Sequence, residues 1–191
     1  MKPLDIAMRE EPLDIKGEVF KLALKDAGEQ VVDLIRATRN VYNATPEFCA
    51  SPIGKHVRHI VDHFFAYKHA ISQDSVLDYN VRSRETALES DPELALNAVE
   101  EFNSWLVEQN FEEIDLVVES EVAVSESLST TLNSNNHREL VYIVAHTFHH
   151  LAYANLLAKV LNVATPDHIG VAPATATFLR EASHNLNKAS Q

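Results

Sequence analysis

From Glu18 to Asn43 the residues Phe20, Leu24, Ala27, Val31, Leu34, Ile35, Thr38 and Val41 recur at steps of three and four. That spacing lines up one face of an α-helix, and no other regular structure accommodates it over such a length. The pattern returns three times. Ser51 as N-cap with Pro52 at the first helical position opens a second helix. It carries the stripe Ile53, Val57, Ile60, Phe64, Tyr67 and Ile71. Asp91-Pro92-Glu93 opens a third by the same logic, with Leu94, Ala98, Phe102, Trp105 and Leu106, ending near Asn110. Ser134 to His137 offers caps for a fourth, Arg138 to Leu161, which is apolar on nearly every face. A helix of that kind is expected to be buried among its neighbours. Four long helices with one or two long connections predict an all-α chain folded as a four-helix bundle with long crossovers.

Between the helices the pattern weakens. Residues 72–90 show no clear period. In 111–132, Ile114, Leu116 and Val118 alternate with Asp115, Val117 and Glu119, which fits a short β-hairpin or an irregular crossover. Pro3 and Pro12 oppose regular structure in residues 1–16, so an irregular N-terminal arm is expected there. Residues 166–191 form a C-terminal accessory segment, with a short helix over Ala174 to Ser183. No internal repeat and no boundary appear, so 1–191 is expected to be one domain, with its bundle in 17–165.

The chain holds only 4 glycines and 7 prolines in 191 residues, which disfavours turn-rich β and low-complexity classes. Its net charge is −12 at pH 7, which disfavours nucleic acid and anionic membranes as partners. The single cysteine, Cys49, excludes an internal disulfide and fits a reducing compartment. The first residues carry acids and no apolar run, so no signal peptide is expected. No stretch reaches the roughly 18 apolar residues of a membrane span. A cytoplasmic protein is expected.

Histidine is where the composition becomes specific. Of ten, His56, His59, His63 and His69 fall within 14 residues of the second helix, and His146, His149 and His150 fall together on the fourth. Residues four apart on a helix stand one above the other, so His146 and His150 can hold one divalent ion at about 2.0–2.1 Å. Burying two imidazoles without partners is costly. The second helix is the natural donor of a third ligand, because bundle cores build such sites from facing helices. Periodicity leaves that ligand open. His56 and His63 lie nearer the apolar stripe, His59 lies toward its edge, and spacing slightly favours His63. Three neutral ligands leave one or more positions on the ion free, the mark of a catalytic rather than a closed structural site. Imidazole suits zinc, nickel, iron and cobalt alike.

The run Ile53-Gly54-Lys55-His56-Val57-Arg58-His59-Ile60-Val61-Asp62-His63-Phe64, taken with His146-Thr147-Phe148-His149-His150, resembles the DinB-like superfamily and its relatives among bacillithiol- and mycothiol-dependent transferases. The likeness spans about residues 18–165. The Asp78-Tyr79, Arg82-x-Arg84-x-Thr86 crossover and Gly170-Val171-Ala172-Pro173 extend it. It implies a four-helix bundle whose metal is held by His59, His146 and His150, with a low-molecular-weight thiol as a candidate cofactor and a homodimer as the usual assembly. Many members follow the second ligand of the fourth helix with Arg-Gly-Gln, where this chain has Leu151-Ala152-Tyr153.

Other residues complete the expectation. Asp62 is a candidate to orient His59 or His63, and His63 to act as an adjacent base. Arg82 and Arg84 are candidates for holding an anionic substrate or thiol. His149 is better placed for a helix or partner contact, Tyr67 and Tyr153 for packing, and Cys49 lies in no nucleophile motif. The leading function is a metal-dependent thiol transferase, isomerase or hydrolase acting on a small electrophile. The alternative is a non-catalytic dimeric protein with a structural or vestigial metal. A pH-responsive bundle without metal ranks last.

Overall fold

The computed structural model describes residues 14–84 and 86–189. Five α-helices and three short strands follow in the order α1 (Asp14–Thr38), α2 (Ile53–Gln73), β1 (Leu77–Asp78), α3 (Pro92–Val107), β2 (Asp115–Glu121), β3 (Ser129–Asn135), α4 (Asn136–Val160) and α5 (Pro173–Ala189). The chain is therefore helix-rich but not all-α. The weakly alternating segment 111–132 contributes a β-hairpin arm, and the unpatterned crossover supplies β1. The expected arm at 1–13 lies outside the described residues, while 14–16 already belong to α1.

α1 to α4 pack on one another around a single apolar core. The predicted stripes supply it. Leu24, Val31, Leu34 and Ile35 of α1, Ile53, Val57, Ile60, Phe64 and Tyr67 of α2, and Phe102 and Leu106 of α3 are all at most 2% exposed. Each such side chain contributes about 1.5–3 kcal/mol relative to leaving it in water. Phe64 stacks on Phe102 at 4.4 Å, joining α2 to α3.

Local signals set the helix ends. The Asp91 carboxylate accepts from the backbone N–H groups of Glu93 and Leu94, as its cap pattern predicts. Asn135 caps α4 by accepting from Arg138 N–H at 2.8 Å. α2 departs from expectation. Pro52 takes the cap position, and Ser51 Oγ instead bonds the His56 ring at 3.0 Å. α1 stops at Thr38, whose hydroxyl donates back to the Leu34 carbonyl, and a short 3-10 turn over Arg39–Val41 follows. Gly54 sits where α2 meets the 87–89 turn. A Cβ there would strike the Glu89 carbonyl and come within 2.8 Å of the Tyr42 ring.

β1 pairs with β2 in parallel, and β2 with β3 antiparallel, from Asp115 opposite Asn135 to Glu121 opposite Ser129. Leu77, Leu116 and Val118 turn inward, and the rest of the sheet is largely exposed. The sheet has a positional role. β3 runs straight into α4, and β1 delivers Tyr79 beside the first turn of that helix, where the Tyr79 hydroxyl donates to Glu139.

α4 corrects a second expectation. It is not buried all round, because Val141, Leu156 and Val160 are each more than half exposed. α5 is longer than expected, and its Phe178 and Leu179 are also more than half exposed. Among the described residues no helix is long and apolar enough to cross a membrane.

Candidate metal centre

α2 and α4 lie side by side, and their histidines meet along the seam. His56, His59 and His63 stand three and four residues apart on α2, and His146 and His150 four apart on α4. One nitrogen each from His59, His146 and His150 lies within 4.8 Å of the others. His59 Nε2 and His146 Nε2 are 3.0 Å apart. A tetrahedral ion with nitrogens at about 2.0–2.1 Å separates its ligands by roughly 3.4 Å, close to the His59–His146 spacing. The donor chemistry fits a borderline divalent ion, since all three groups are imidazoles and all three are half-buried.

The seam keeps these rings neutral. Burial first, then the charges of His63, Arg82, His150 and His146, hold His59 down at about 2. Burial and neighbouring charges likewise lower His146 to about 4 and His150 to about 3. Neutral imidazole is the metal-binding form.

His63 has a different place. Its Nδ1 lies 3.0 Å from the His59 carbonyl, an oxygen that can only accept, so Nδ1 carries the proton. The ring is 3% exposed and packed between His146 at 4.2 Å and Tyr79 at 5.0 Å, nearly parallel to both. Burial, foremost, and then His146 lower it to about 3. It braces the His146 ring and the α2 backbone. His56, which spacing also placed near the stripe, reaches His150 instead, Nδ1 to Nδ1 at 3.1 Å, and lies tilted against the Tyr153 ring at 4.6 Å. His69 and His149 are exposed.

Asp62 does not touch an imidazole. It pairs with Arg58 at 2.7 Å and accepts from the Ser83 backbone N–H at 3.2 Å. Arg58 also bonds Glu89 at 3.0 Å, and this buried network ties α2 to the 80s loop and the 87–89 turn. The expected orienting carboxylate thus orients a loop. That loop swings Arg82 onto the cluster, where its Nη1 lies 2.5 Å from His59 Nδ1 and 3.3 Å from Nε2. Guanidinium only donates, so His59 accepts through Nδ1, its neutral ring keeps its proton on Nε2 toward His146, and Arg82 must move off before that ring can ligate an ion. Arg84 is exposed two residues further on. Cys49 is half-buried against the core, and Tyr67 is a core residue 1% exposed. The contribution of His56 was legible only as part of the cluster, and that of Arg58 left no signal beyond its four-residue distance from Asp62.

No protein-family model matches the chain, and no solved structure matches it. The chain is similar to FK506-binding protein 5 of Rhizopus delemar, with 28% identity over 109 residues, 56% of this chain and 28% of that protein. The match thus spans well under a third of that relative's length.

Proposed function

We propose that the chain is a divalent-metal protein of DinB-like type, a four-helix bundle with an added hairpin, in which His59, His146 and His150 hold the ion. The observation that carries this reading is the convergence of three neutral imidazole nitrogens within 4.8 Å across the α2–α4 seam. A zinc, nickel or iron ion held there supplies Lewis acidity that turns a thiol or a water into a nucleophile at neutral pH. A transferase, isomerase or hydrolase acting on a small electrophile with a low-molecular-weight thiol follows from that chemistry. The chain's own residues do the rest. His63 donates Nδ1–H to the His59 carbonyl and stays neutral, holding the ligand helix in place. Arg82 offers an anionic group of the substrate a fork of donors at the edge of the site. The Asp62–Ser83 bond holds the Arg82 loop there.

A second observation bears on assembly. Val19, Phe20, Val141, Val144, Phe148 and Pro173 line an almost purely apolar groove of about 350 Å³ between α1, α4 and the start of α5. An exposed apolar groove of this kind fits a second copy of the chain, and a homodimer is part of both readings.

Elemental analysis of metal-replete protein tests the site. Wild type should retain about one divalent ion per chain, His146→Ala should lose it, and His63→Phe should keep it. An ion retained by His146→Ala, or lost only in His63→Phe, would overturn the ligand assignment. Loss of the ion with no change in any thiol-transfer or hydrolytic turnover would favour the dimeric, non-catalytic reading.

A further inference from the structure

A second cavity, of about 450 Å³, opens between the sheet and the first turns of α4. Its walls include Tyr79, Val118, Leu132, Ser134, Glu139 and Tyr142. The volume falls within the range of small-molecule sites. Glu139 is 5% exposed yet lines the space. Its Oε1 accepts from Ser134 Oγ at 2.6 Å and its Oε2 from the Tyr79 hydroxyl at 2.9 Å. An ionised carboxylate has about four lone-pair sites, so two remain. Among the described residues the cation paired with Glu139 is Arg138, which also lines the cavity; it is 3.8 Å away with its side chain 62% exposed, and its guanidinium lies over the Tyr142 ring.

A glutamine would brace Tyr79 or Ser134 as well as Glu139 does, without the cost of burying a charge. The position in the first turn of α4 lowers that cost through the helix dipole but supplies no partner. The negative charge of Glu139 is felt by Tyr79, Tyr67 and Tyr142, whose hydroxyls it helps to push up, after burial. The Tyr142 ring already takes the Arg138 guanidinium, so the charge of a ligand would fall to Glu139 and the two tyrosine rings would pack against its body. A chain of net charge −12 steers cations toward itself.

We propose that this cavity binds a small organic ammonium, with the charged nitrogen on Glu139 and an apolar or aromatic body against Tyr79, Tyr142, Val118 and Leu132. The cavity adjoins the histidines, because Tyr79 stacks on His63 at 5.0 Å and Tyr142 on His146 at 5.5 Å. The inference goes beyond the metal reading and does not depend on it. An ammonium bound here would lie against the rings that brace the seam.

Isothermal titration of the full chain with phenethylamine, protonated at pH 7, tests the proposal. 2-Phenylethanol and phenylacetate serve as its neutral and anionic counterparts. Phenethylamine should bind saturably and at least about tenfold tighter than either counterpart, as expected for a hydrogen bond to a charged group. Glu139→Gln should lose about tenfold for the amine and leave phenylethanol unchanged. Leu132→Trp, placed on the exposed strand, should block all three by filling the mouth. His150→Ala, which removes a proposed metal ligand that makes no ring contact with Tyr79 or Tyr142, should leave amine binding intact, which separates this proposal from the metal site. Equal binding of the three probes, preference for phenylacetate, or no binding at all would overturn it. So would an unchanged amine affinity in a folded Glu139→Gln. Should that variant fail to fold, the wild-type preference and the Leu132→Trp result decide the question.

Discussion

Replacing Arg82 with methionine should tighten metal binding. The guanidinium takes a lone pair of His59 through Nδ1 and sits 3.3 Å from its Nε2. An ion about 2 Å from a ligand nitrogen would then stand roughly 5 Å from the guanidinium charge. Charges of +2 and +1 at that separation repel by about 1.7 kcal/mol in a water-like dielectric and by about 6.6 kcal/mol at an effective dielectric of 20. Arg82 is exposed, so screening holds the value near the lower end, about 2 kcal/mol. That corresponds to roughly thirtyfold in Kd. Methionine keeps an apolar stem of similar reach and removes both the charge and the donor. Competition for zinc between the apo-protein and a chromophoric chelator, at low salt, measures the difference between Arg82→Met and wild type. The gap should narrow as salt is added, because an exposed charge is screened within about 10 Å at 0.1 M. Equal or weaker binding by Arg82→Met would refute the reasoning. The guanidinium would then be no competitor of the ion at His59.

Two further outcomes follow from the same geometry. His59, His63, His146 and His150 are held at about 2, 3, 4 and 3, chiefly by burial, while an unfolded imidazole titrates near 6.5. Between about pH 4 and 6.5 the unfolded chain therefore binds more protons, and stability rises with pH across that window and levels off above it. Calorimetry with a chelator present should show Tm falling from pH 7 to pH 5, with a shallower slope in His63→Phe. An equal Tm at both pH values would contradict the lowered values. Arg58→Met should destabilise the fold by about 3–5 kcal/mol in a urea titration, because it leaves Asp62 buried without its cation. A loss below about 1 kcal/mol would show the pair to be dispensable.

What could be read from the chain and what could not divide along the range of the interaction. The three-and-four spacing of Leu24, Val31 and Leu34, or of Val57, Ile60 and Phe64, is a local signal whose meaning survives any tertiary arrangement, and those side chains line the core. The caps at Asp91 and Asn135 are equally local. The β2–β3 hairpin was legible only as one of two alternatives, and β1 not at all, because Leu77 and Asp78 form only two residues of strand and acquire their pairing from Val118 and Glu119, some forty positions away. α4 misled for a related reason. Its apolar residues exceed what three neighbouring helices can cover, and a count of apolar positions does not reveal how many neighbours exist.

The site shows the same division at higher resolution. His146 and His150 were legible as a pair because their spacing alone puts them on one face. His59 and His63 were not separable by spacing, since both lie within reach of α4. What separates them is a hydrogen bond and two stacked rings. His63 spends its Nδ1 proton on the His59 carbonyl and packs its ring between His146 and Tyr79, which leaves His59 as the ring of α2 that meets both His146 and His150. Asp62 carries the sharpest lesson. Its distance of three residues from His59 suggested an orienting acceptor, but Arg58, four residues before it on the same face, competes for the carboxylate with a full charge at 2.7 Å. A charge-assisted pair of that length is stronger than a bond to a neutral ring, so the arginine wins. The carboxylate's remaining capacity then falls on Ser83, and through that loop it places Arg82 beside His59. Asp62 thus influences the histidine by way of an arginine 20 residues downstream, a route that no local pattern encodes.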